Sequence, residues 1–158
     1  MPVWIRATLF VLLMPGTVAG WLPWMIADEP SVTRHGWLAA AGVVFISTGW
    51  GALLWCARDF AVRGRGTLAP VDPPRTLVTR GLYEYVRNPM YVGVVSAVLG
   101  QAALFESRFI LLYAIVVALL FHTTIVIYEE PKLAGSFGSS YDDYRARVPR
   151  WIPRRPRS

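Results

Sequence analysis

Four long apolar stretches constrain the fold of this chain more than any other feature. They cover residues 4–26, 37–57, 90–105 and 109–128, and an α-helix needs about 20 apolar residues to cross a bilayer. The composition agrees, since 54% of the 158 residues are hydrophobic and the mean hydropathy is +0.41. We therefore predict an all-α integral membrane protein with a single domain, residues 1–158. It is a bundle of about four transmembrane helices followed by a C-terminal helical segment.

Two of these stretches need interpretation. The first could be a secretory signal, but it stays apolar as far as residue 26, which is longer than the apolar region of such a signal. We therefore predict that it is a retained span. The third stretch is short for a bilayer, so it should borrow length from its flanks or lie tilted against its neighbours.

The arginines orient the predicted bundle. With four spans, the N-terminus, the loop 58–89 and the tail 129–158 share one side of the membrane. That side carries six arginines from Arg58 to Arg87 and the basic tail, whereas the other side has Arg34 and Arg108. The positive-inside rule then places both termini in the cytoplasm, and we expect a bacterial inner membrane. The net charge is +6. We interpret this basic excess as a sign that the chain contacts anionic lipid and not nucleic acid.

The chain offers few groups for metal or covalent chemistry. Cys56 is its single cysteine, which excludes an internal disulfide and a cysteine-based metal cluster. Gln101 and His122 are polar groups inside predicted spans, where such groups usually face the bundle interior or a cavity. No second histidine or carboxylate lies at metal-ligand spacing from His122. We therefore predict no metal site.

Two polar clusters bracket the last two predicted spans. A very short turn joins these spans, so they should form an antiparallel hairpin that brings both clusters to the same cytoplasmic end. One cluster offers carboxylates for a cation, and the other offers an Arg/Asn pair for an anion. A small zwitterion with a sulfonium or an amine would suit such a pocket, and a structural salt-bridged cap is the alternative. The clusters are Tyr83, Arg87, Asn88 and Tyr91 before the third span, and Glu129 and Glu130 after the fourth.

The polar segments between and after the spans have different characters. Gly and Pro make the loop 58–89 irregular, and Leu77 and Val78 could lie extended along a ligand or belong to a flexible linker. The tail contains two short helical patterns. Tyr141 and Tyr144 fall on one face of the second pattern. We expect this piece to fold back over the cytoplasmic end of the bundle.

The blocks "LVTRGLYEYVRNPMYVG" and "EEPKLAGSFGSSYDDYRARVPRWIP" carry a resemblance to a known family. The chain resembles the isoprenylcysteine carboxyl methyltransferase family and its phospholipid-methyltransferase relatives. Their pattern runs Thr-x-Gly-x-Tyr, Arg-His/Asn-Pro-x-Tyr-x-Gly, Glu-Glu-x-x-Leu, Phe-Gly-x-x-Tyr-x-x-Tyr and a final Val-Pro. Each block alone is weak evidence for the family, but all of them occur here in order over residues 76–153.

The resemblance implies an integral-membrane methyltransferase that uses S-adenosylmethionine and releases S-adenosylhomocysteine. The acceptor it implies is a lipophilic or membrane-embedded small molecule with a carboxylate, thiol or amine, and molecules similar to isoprenylcysteine belong to this class. Glu129 would hold the amino group of the cofactor, and Arg87 and Glu130 would orient loop and tail. A sulfonium is already activated, so proximity and alignment suffice. The cofactor site implied by the resemblance comprises Leu77, Val78, Tyr83, Arg87, Asn88, Pro89, Met90, Tyr91, Glu129 and Glu130.

Two departures from the family pattern bear on the acceptor. Asn88 stands where the eukaryotic prenylcysteine enzymes have His, and Asn can still donate a hydrogen bond. Ile125 stands where those enzymes have an Arg suited to a substrate carboxylate, although a tail arginine such as Arg145, Arg147 or Arg150 could replace it. No catalytic residue is assigned. If the acceptor needs a base, the weak candidates are Glu130, His122 and Tyr128.

Two other functions remain open from the sequence. One is a non-catalytic four-helix membrane scaffold, which would bind no cofactor and would tolerate loss of both glutamates. The other is a membrane reductase of the sterol-reductase kind that uses NADPH, although such enzymes lack this Glu pair. The methyl acceptor and the oligomeric state are not specified by the sequence.

Overall fold

The computed structural model describes residues 13–27, 32–33, 35–59, 62 and 77–155. Half of the predicted loop and the beginning of the first predicted span lie outside these residues. The described elements are helical. In chain order they are a π-helical turn (Thr17–Trp21), α1 (Leu22–Ile26), α2 (Gly36–Asp59), a 3₁₀ turn (Gly81–Glu84), α3 (Pro89–Leu104), α4 (Arg108–Thr124), a second π-helical turn (Ile125–Glu129), α5 (Glu130–Phe137) and α6 (Ser139–Arg147).

Two of the described helices are long and apolar enough to cross a membrane. One is α2, and the other is the continuous 30-residue helix Arg108–Phe137 that α4, the second π-helical turn and α5 form together. α3 is apolar but shorter. The helical class agrees with the prediction, and α2, α3 and α4 overlap the second, third and fourth apolar stretches of the sequence. α2 ends at Asp59 rather than at residue 57, and the fourth apolar helix continues well past residue 128.

A seam of glycines joins α2 to α3. A Cβ atom added at Gly49 would lie 2.5 Å from the carbonyl oxygen of Gly93 and 2.8 Å from the backbone nitrogen of Ala97. One added at Gly100 would lie 2.6 Å from the carbonyl oxygen of Gly42. The two backbones therefore touch without intervening side chains, as small-residue faces allow in membrane bundles. The small residues Gly93, Ala97 and Gly100 of α3 thus serve close packing against α2.

Two polar side chains tie the N-terminal helical segment to the bundle. Gln101 is buried, and its Nε2 donates a hydrogen bond to the carbonyl oxygen of Ala19. The hydroxyl of Tyr113 donates to the carbonyl oxygen of Val18 over 3.0 Å. Both carbonyls belong to the first π-helical turn. Gln101 thus faces the bundle interior, as predicted, and satisfies a backbone acceptor there.

The C-terminal helices fold back over one end of the bundle. The chain turns at Gly138, whose φ of 54° lies in a region that side chains disfavour. α6 then buries Tyr141 and Tyr144, the face that the sequence predicts. The hairpin of α3 and α4 turns at the opposite end, where the hydroxyl of Ser107 accepts a hydrogen bond from the Ile110 amide over 3.3 Å.

Candidate functional site

A small cavity lies where the two polar clusters meet. Its volume is about 70 Å³. Its walls come from the stretch before α3, from the second π-helical turn with the start of α5, and from α6. The antiparallel hairpin therefore brings the two clusters together, as the sequence predicts. The lining residues are Leu77, Val78, Tyr83, Arg87, Asn88, Ile125, Glu129, Glu130, Leu133, Tyr141 and Tyr144.

Glu129 is the cavity carboxylate that meets no arginine among its described contacts. It lines the cavity and accepts a hydrogen bond from the hydroxyl of Tyr91. The Tyr91 ring also packs against Phe121, with 4.6 Å between the ring centroids. Tyr91 thus fixes the orientation of the Glu129 carboxylate from the side of α3.

Glu130 joins two arginines into a latch. Nη1 of Arg87 donates to Oε1 of Glu130 over 2.8 Å. Arg150 approaches from the other side and donates from Nε to Oε1 over 2.8 Å and from Nη2 to Oε2 over 2.9 Å. The Arg87 and Glu130 side chains are each only 10% exposed. We call Arg87, Glu130 and Arg150 the latch, since bidentate charge-assisted bonds of this kind are strong.

The segment 148–155, which we call the strap, lies along the stretch before α3. The Arg87 amide donates to the carbonyl oxygen of Pro149 over 2.9 Å, and the Arg154 amide donates to that of Tyr85 over 3.0 Å. Nδ2 of Asn88 donates to the carbonyl oxygen of Arg150 over 3.2 Å. These bonds join two segments some 60 residues apart in sequence and hold the strap against Arg87 and Asn88, which line the cavity.

Burial and charge set the protonation of the tail groups around the cavity. Burial raises the pKa of the Tyr144 phenol well above its usual value, and its hydroxyl donates to the carbonyl oxygen of Tyr83 over 2.8 Å. Burial and the nearby Glu130 carboxylate raise the pKa of Tyr141. The hydrogen bonds to Glu130 raise the pKa of the Arg150 guanidinium. The two tyrosines are therefore neutral and Arg150 is charged at neutral pH.

The residues that the resemblance implies as a cofactor site divide into two groups. Seven of the ten line the cavity: Leu77, Val78, Tyr83, Arg87, Asn88, Glu129 and Glu130. The other three lie beside it. Pro89 and Met90 are buried in the first turn of α3, and Tyr91 reaches the cavity through its bond to Glu129.

The three weak base candidates lie in different surroundings. Glu130 belongs to the latch. Tyr128 is exposed, and Nζ of Lys132 lies 5.4 Å from its ring centroid. Nδ1 of His122 accepts a hydrogen bond from Nε1 of Trp151 over 3.2 Å. Of these three base candidates, Glu130 lines the cavity, and His122 and Tyr128 are not among its lining residues.

Sequence reasoning missed several parts of this site. Arg150 completes the latch, although nothing in the sequence distinguishes it from the other tail arginines. Ile125 is fully buried and gives the cavity an apolar wall at the position where the family enzymes carry Arg. Leu133 could have been found, because it belongs to the Glu-Glu-x-x-Leu block. It lies three residues after Glu130, one helical turn further along α5.

The cavity offers a definite set of partners to a ligand. Two carboxylates line it, of which Glu130 is bonded to two arginines and Glu129 is not. Aromatic rings also line it, and Nε of Arg87 is buried without a hydrogen-bond partner among the described residues. A buried donor left unpaired costs free energy. The arrangement therefore suits a ligand with a cationic group for Glu129 and an acceptor group for Arg87. Among the described residues, no cluster of His, Cys, Asp and Glu could hold a metal ion.

Comparisons with known proteins point to one family. A sequence model described as "Phospholipid methyltransferase" matches residues 37–140. Protein-S-isoprenylcysteine O-methyltransferase of Schizosaccharomyces pombe is 40% identical over 77 residues, 49% of this chain and 33% of that protein. The Rattus norvegicus protein of the same name is 31% identical over 131 residues, 78% of this chain and 44% of that protein.

A bacterial relative matches almost the whole chain. Methanethiol S-methyltransferase 2 of Bradyrhizobium diazoefficiens is 30% identical over 158 residues, which is 97% of this chain and 50% of that protein. This chain thus spans half or less of the length of these three relatives. Their names place the methyl group on oxygen in two cases and on sulfur in the third.

Proposed function

Because the chain belongs to the phospholipid methyltransferase family, we propose that it is an integral-membrane methyltransferase that uses S-adenosylmethionine. Its acceptor is a lipophilic small molecule with a carboxylate, thiol or amine. One observation carries the proposal. Eight residues from four of the motif blocks line a single cavity, although two of these blocks precede α3 and the other two follow α4: Tyr83, Arg87, Asn88, Glu129, Glu130, Leu133, Tyr141 and Tyr144. The membrane setting is supported by the apolar helices α2 and Arg108–Phe137.

The donor set of the cavity fits this cofactor. The Glu129 carboxylate suits the amino group of the methionine part, and the buried Nε of Arg87, which has no partner among the described residues, suits its carboxylate. The tyrosine rings offer π faces to a sulfonium, a favourable contact for an organic cation. When bound, the cofactor supplies a methyl group on an activated sulfonium.

The closed cavity is smaller than the cofactor requires. Pockets for drug-sized ligands hold about 300–1,000 Å³, whereas this cavity holds about 70 Å³. We therefore propose that the strap moves away for cofactor entry and closes again. The latch then holds the closed arrangement and excludes water, while Tyr91 keeps the Glu129 carboxylate aimed into the cavity.

The proposed arrangement in the membrane has four spans. The helical segment 13–26, α2, α3 and α4 would cross, with α3 extended by its flanks, and the cavity would face the cytoplasm together with both termini. The arginine distribution supports this orientation. A soluble cytoplasmic cofactor could then reach the strap directly, and a lipophilic acceptor could arrive from the bilayer.

Cofactor binding to the purified protein in nanodiscs tests the proposal. We expect calorimetry to detect S-adenosylmethionine and S-adenosylhomocysteine. Glu129→Gln should weaken binding by about tenfold to a hundredfold, since hydrogen bonds to charged groups contribute about 1.5–3 kcal/mol. Glu106→Gln removes a carboxylate at the opposite end of the hairpin and should leave affinity unchanged. The substitution at Glu129 keeps the side-chain shape, so the folded protein remains extractable.

Other outcomes identify the alternative functions. Binding of NADPH instead of the sulfonium nucleosides would favour the reductase. Absence of binding by either class, with a folded protein, would favour a scaffold. Equal affinity of wild type and Glu129→Gln would remove Glu129 from the site.

A further inference from the structure

A second and larger concavity lies on the membrane side of the site. It is a groove of about 470 Å³ between α2, α3 and α4. Its walls are apolar over most of their length. The apolar lining residues are Phe45, Val92, Val95, Leu99, Ala118 and Leu119. We call this concavity the apolar groove.

The polar groups of the apolar groove are few, and two of them lie together. The hydroxyl of Ser96 is used by a bond to the carbonyl oxygen of Phe45, over 3.0 Å. His122 and Trp151 form a hydrogen-bonded pair, and both line the groove. Trp151 belongs to the strap, so the segment that the latch holds near the cavity also contributes to the groove.

The apolar groove is connected to the cavity by neighbouring side chains. Val92 and His122 line the groove, and they directly follow Tyr91 and Phe121, whose rings pack together. The Tyr91 hydroxyl is bonded to Glu129, which lines the cavity. The contact of Tyr91 with Phe121 and Glu129 therefore lies between residues next to the groove and the cavity.

The hydrogen bond from Trp151 determines which proton His122 carries. Nδ1 accepts from Nε1 of Trp151, so a neutral His122 must hold its proton on Nε2. It can then donate one hydrogen bond from Nε2. A carboxylate, thiolate or carbonyl can accept such a bond, whereas an ammonium cannot.

From this arrangement we infer that the apolar groove binds the acceptor, a single-chain lipophile with a carboxylate or thiol head group positioned by His122 and Trp151. The inference rests on the proposed function and specifies its acceptor. Among the described residues, no Arg or Lys lines the groove, which argues against a phosphodiester head group. The volume lies within the range that encloses one drug-sized ligand. His122 and Trp151 are positioning residues here.

Photolabelling in nanodiscs tests the inference. The probes are dodecanoic acid, dodecanethiol and dodecylamine, each with a terminal diazirine, and a phosphatidylcholine with the same group on one chain. We expect the acid and the thiol to label α3 and α4 at the groove, at least tenfold more efficiently than the amine or the phospholipid. Labelling should rise as the chain of a shorter acid is lengthened, because more packing contacts form, and should level off when the groove is filled.

Matched variants separate the apolar groove from the general lipid-facing surface. Ala118→Trp fills the groove and should reduce labelling by the acid at least tenfold. Val116→Trp places the same ring on the outward face of α4, where Val116 is exposed, and should leave labelling unchanged. Trp151→Phe keeps a ring but removes the donor to His122, so the preference for acid over amine should fall.

The outcomes distinguish this inference from the proposed function. If Ala118→Trp and Val116→Trp reduced labelling by the acid equally, the groove would not be the acceptor site. The same would follow if the phospholipid labelled the groove as efficiently as the acid, even if S-adenosylmethionine binds. S-adenosylmethionine affinity, measured on the same samples, should be unchanged in both tryptophan variants. Failure of the cofactor to bind wild type would overturn the proposed function and, with it, the acceptor role of the groove.

Discussion

The seam between α2 and α3 and the strap over the cavity hold the molecule together in opposite ways. The seam has backbone against backbone, with Gly49 facing Gly93 and Gly42 facing Gly100. The strap is held by the latch and by a few hydrogen bonds to the stretch before α3. A close-packed apolar contact has no alternative arrangement of similar energy, whereas hydrogen-bonded groups at a surface can exchange their partners for water. We therefore expect α2 and α3 to stay in contact, whereas the strap can separate from the stretch before α3.

Gly49→Leu should cause the largest loss of stability, because it forces a side chain into the rigid seam between α2 and α3. Even a Cβ at Gly49 meets backbone atoms of α3 at 2.5 and 2.8 Å, and backbone cannot rotate away. Overpacking typically costs about 1–3 kcal/mol, and we expect at least the upper end here. Thermal unfolding in detergent measures the effect.

Gly51 provides the matched control on the same helix. A Cβ at Gly51 meets nothing within 4 Å, and replacing a helical Gly by Ala favours the helix by about 0.5–1 kcal/mol. Gly51→Ala should therefore raise the unfolding temperature slightly. If Gly49→Leu were as stable as Gly51→Ala, the seam would not be the rigid contact described here.

Glu130→Gln should give the next largest effect, and it acts on the latch that holds the strap, not on the seam. It removes the charge that both Arg87 and Arg150 contact, and hydrogen bonds to charged groups contribute about 1.5–3 kcal/mol. Hydrogen exchange should accelerate at the Arg154 amide, which bonds to Tyr85, while α2 and α3 keep their protection. Equal acceleration in the seam would mean that seam and strap unfold as one unit.

The sequence predicts the rigid part of the molecule better than the strap. Hydropathy locates α2, α3 and α4 because each must bury its backbone polar groups within a helix in lipid. The small residues Gly93 and Gly100 predict close packing for the same reason. The short turn between α3 and α4 then brings the two clusters together by geometry. These inferences depend on general rules that apply to a single helix or a pair of helices.

The details of the strap depend on choices that such rules do not make. Arg145, Arg147 and Arg150 are chemically alike, and the fold alone directs Arg150 to Glu130. The π-helical turn Ile125–Glu129 changes which side chains face the cavity, and no spacing rule reveals it. The apolar groove likewise needs residues from three helices and the strap, which sequence patterns do not bring together.

Arg145→Ala should have the smallest effect on stability. It tests whether the latch holds the strap because its ion pairs are buried. Nη2 of Arg145 lies 3.2 Å from Oδ1 of Asp142, but the two side chains are 49% and 58% exposed. Exposed pairs of this kind contribute little, since water and salt screen them, so we expect a loss below about 0.5 kcal/mol.

Arg150→Ala, in contrast, removes a bidentate bond to a side chain only 10% exposed. It should accelerate strap exchange at both low and high salt. If Arg145→Ala opened the strap as much as Arg150→Ala, the net charge of the tail would hold it closed, and the geometry of the latch would not be the cause.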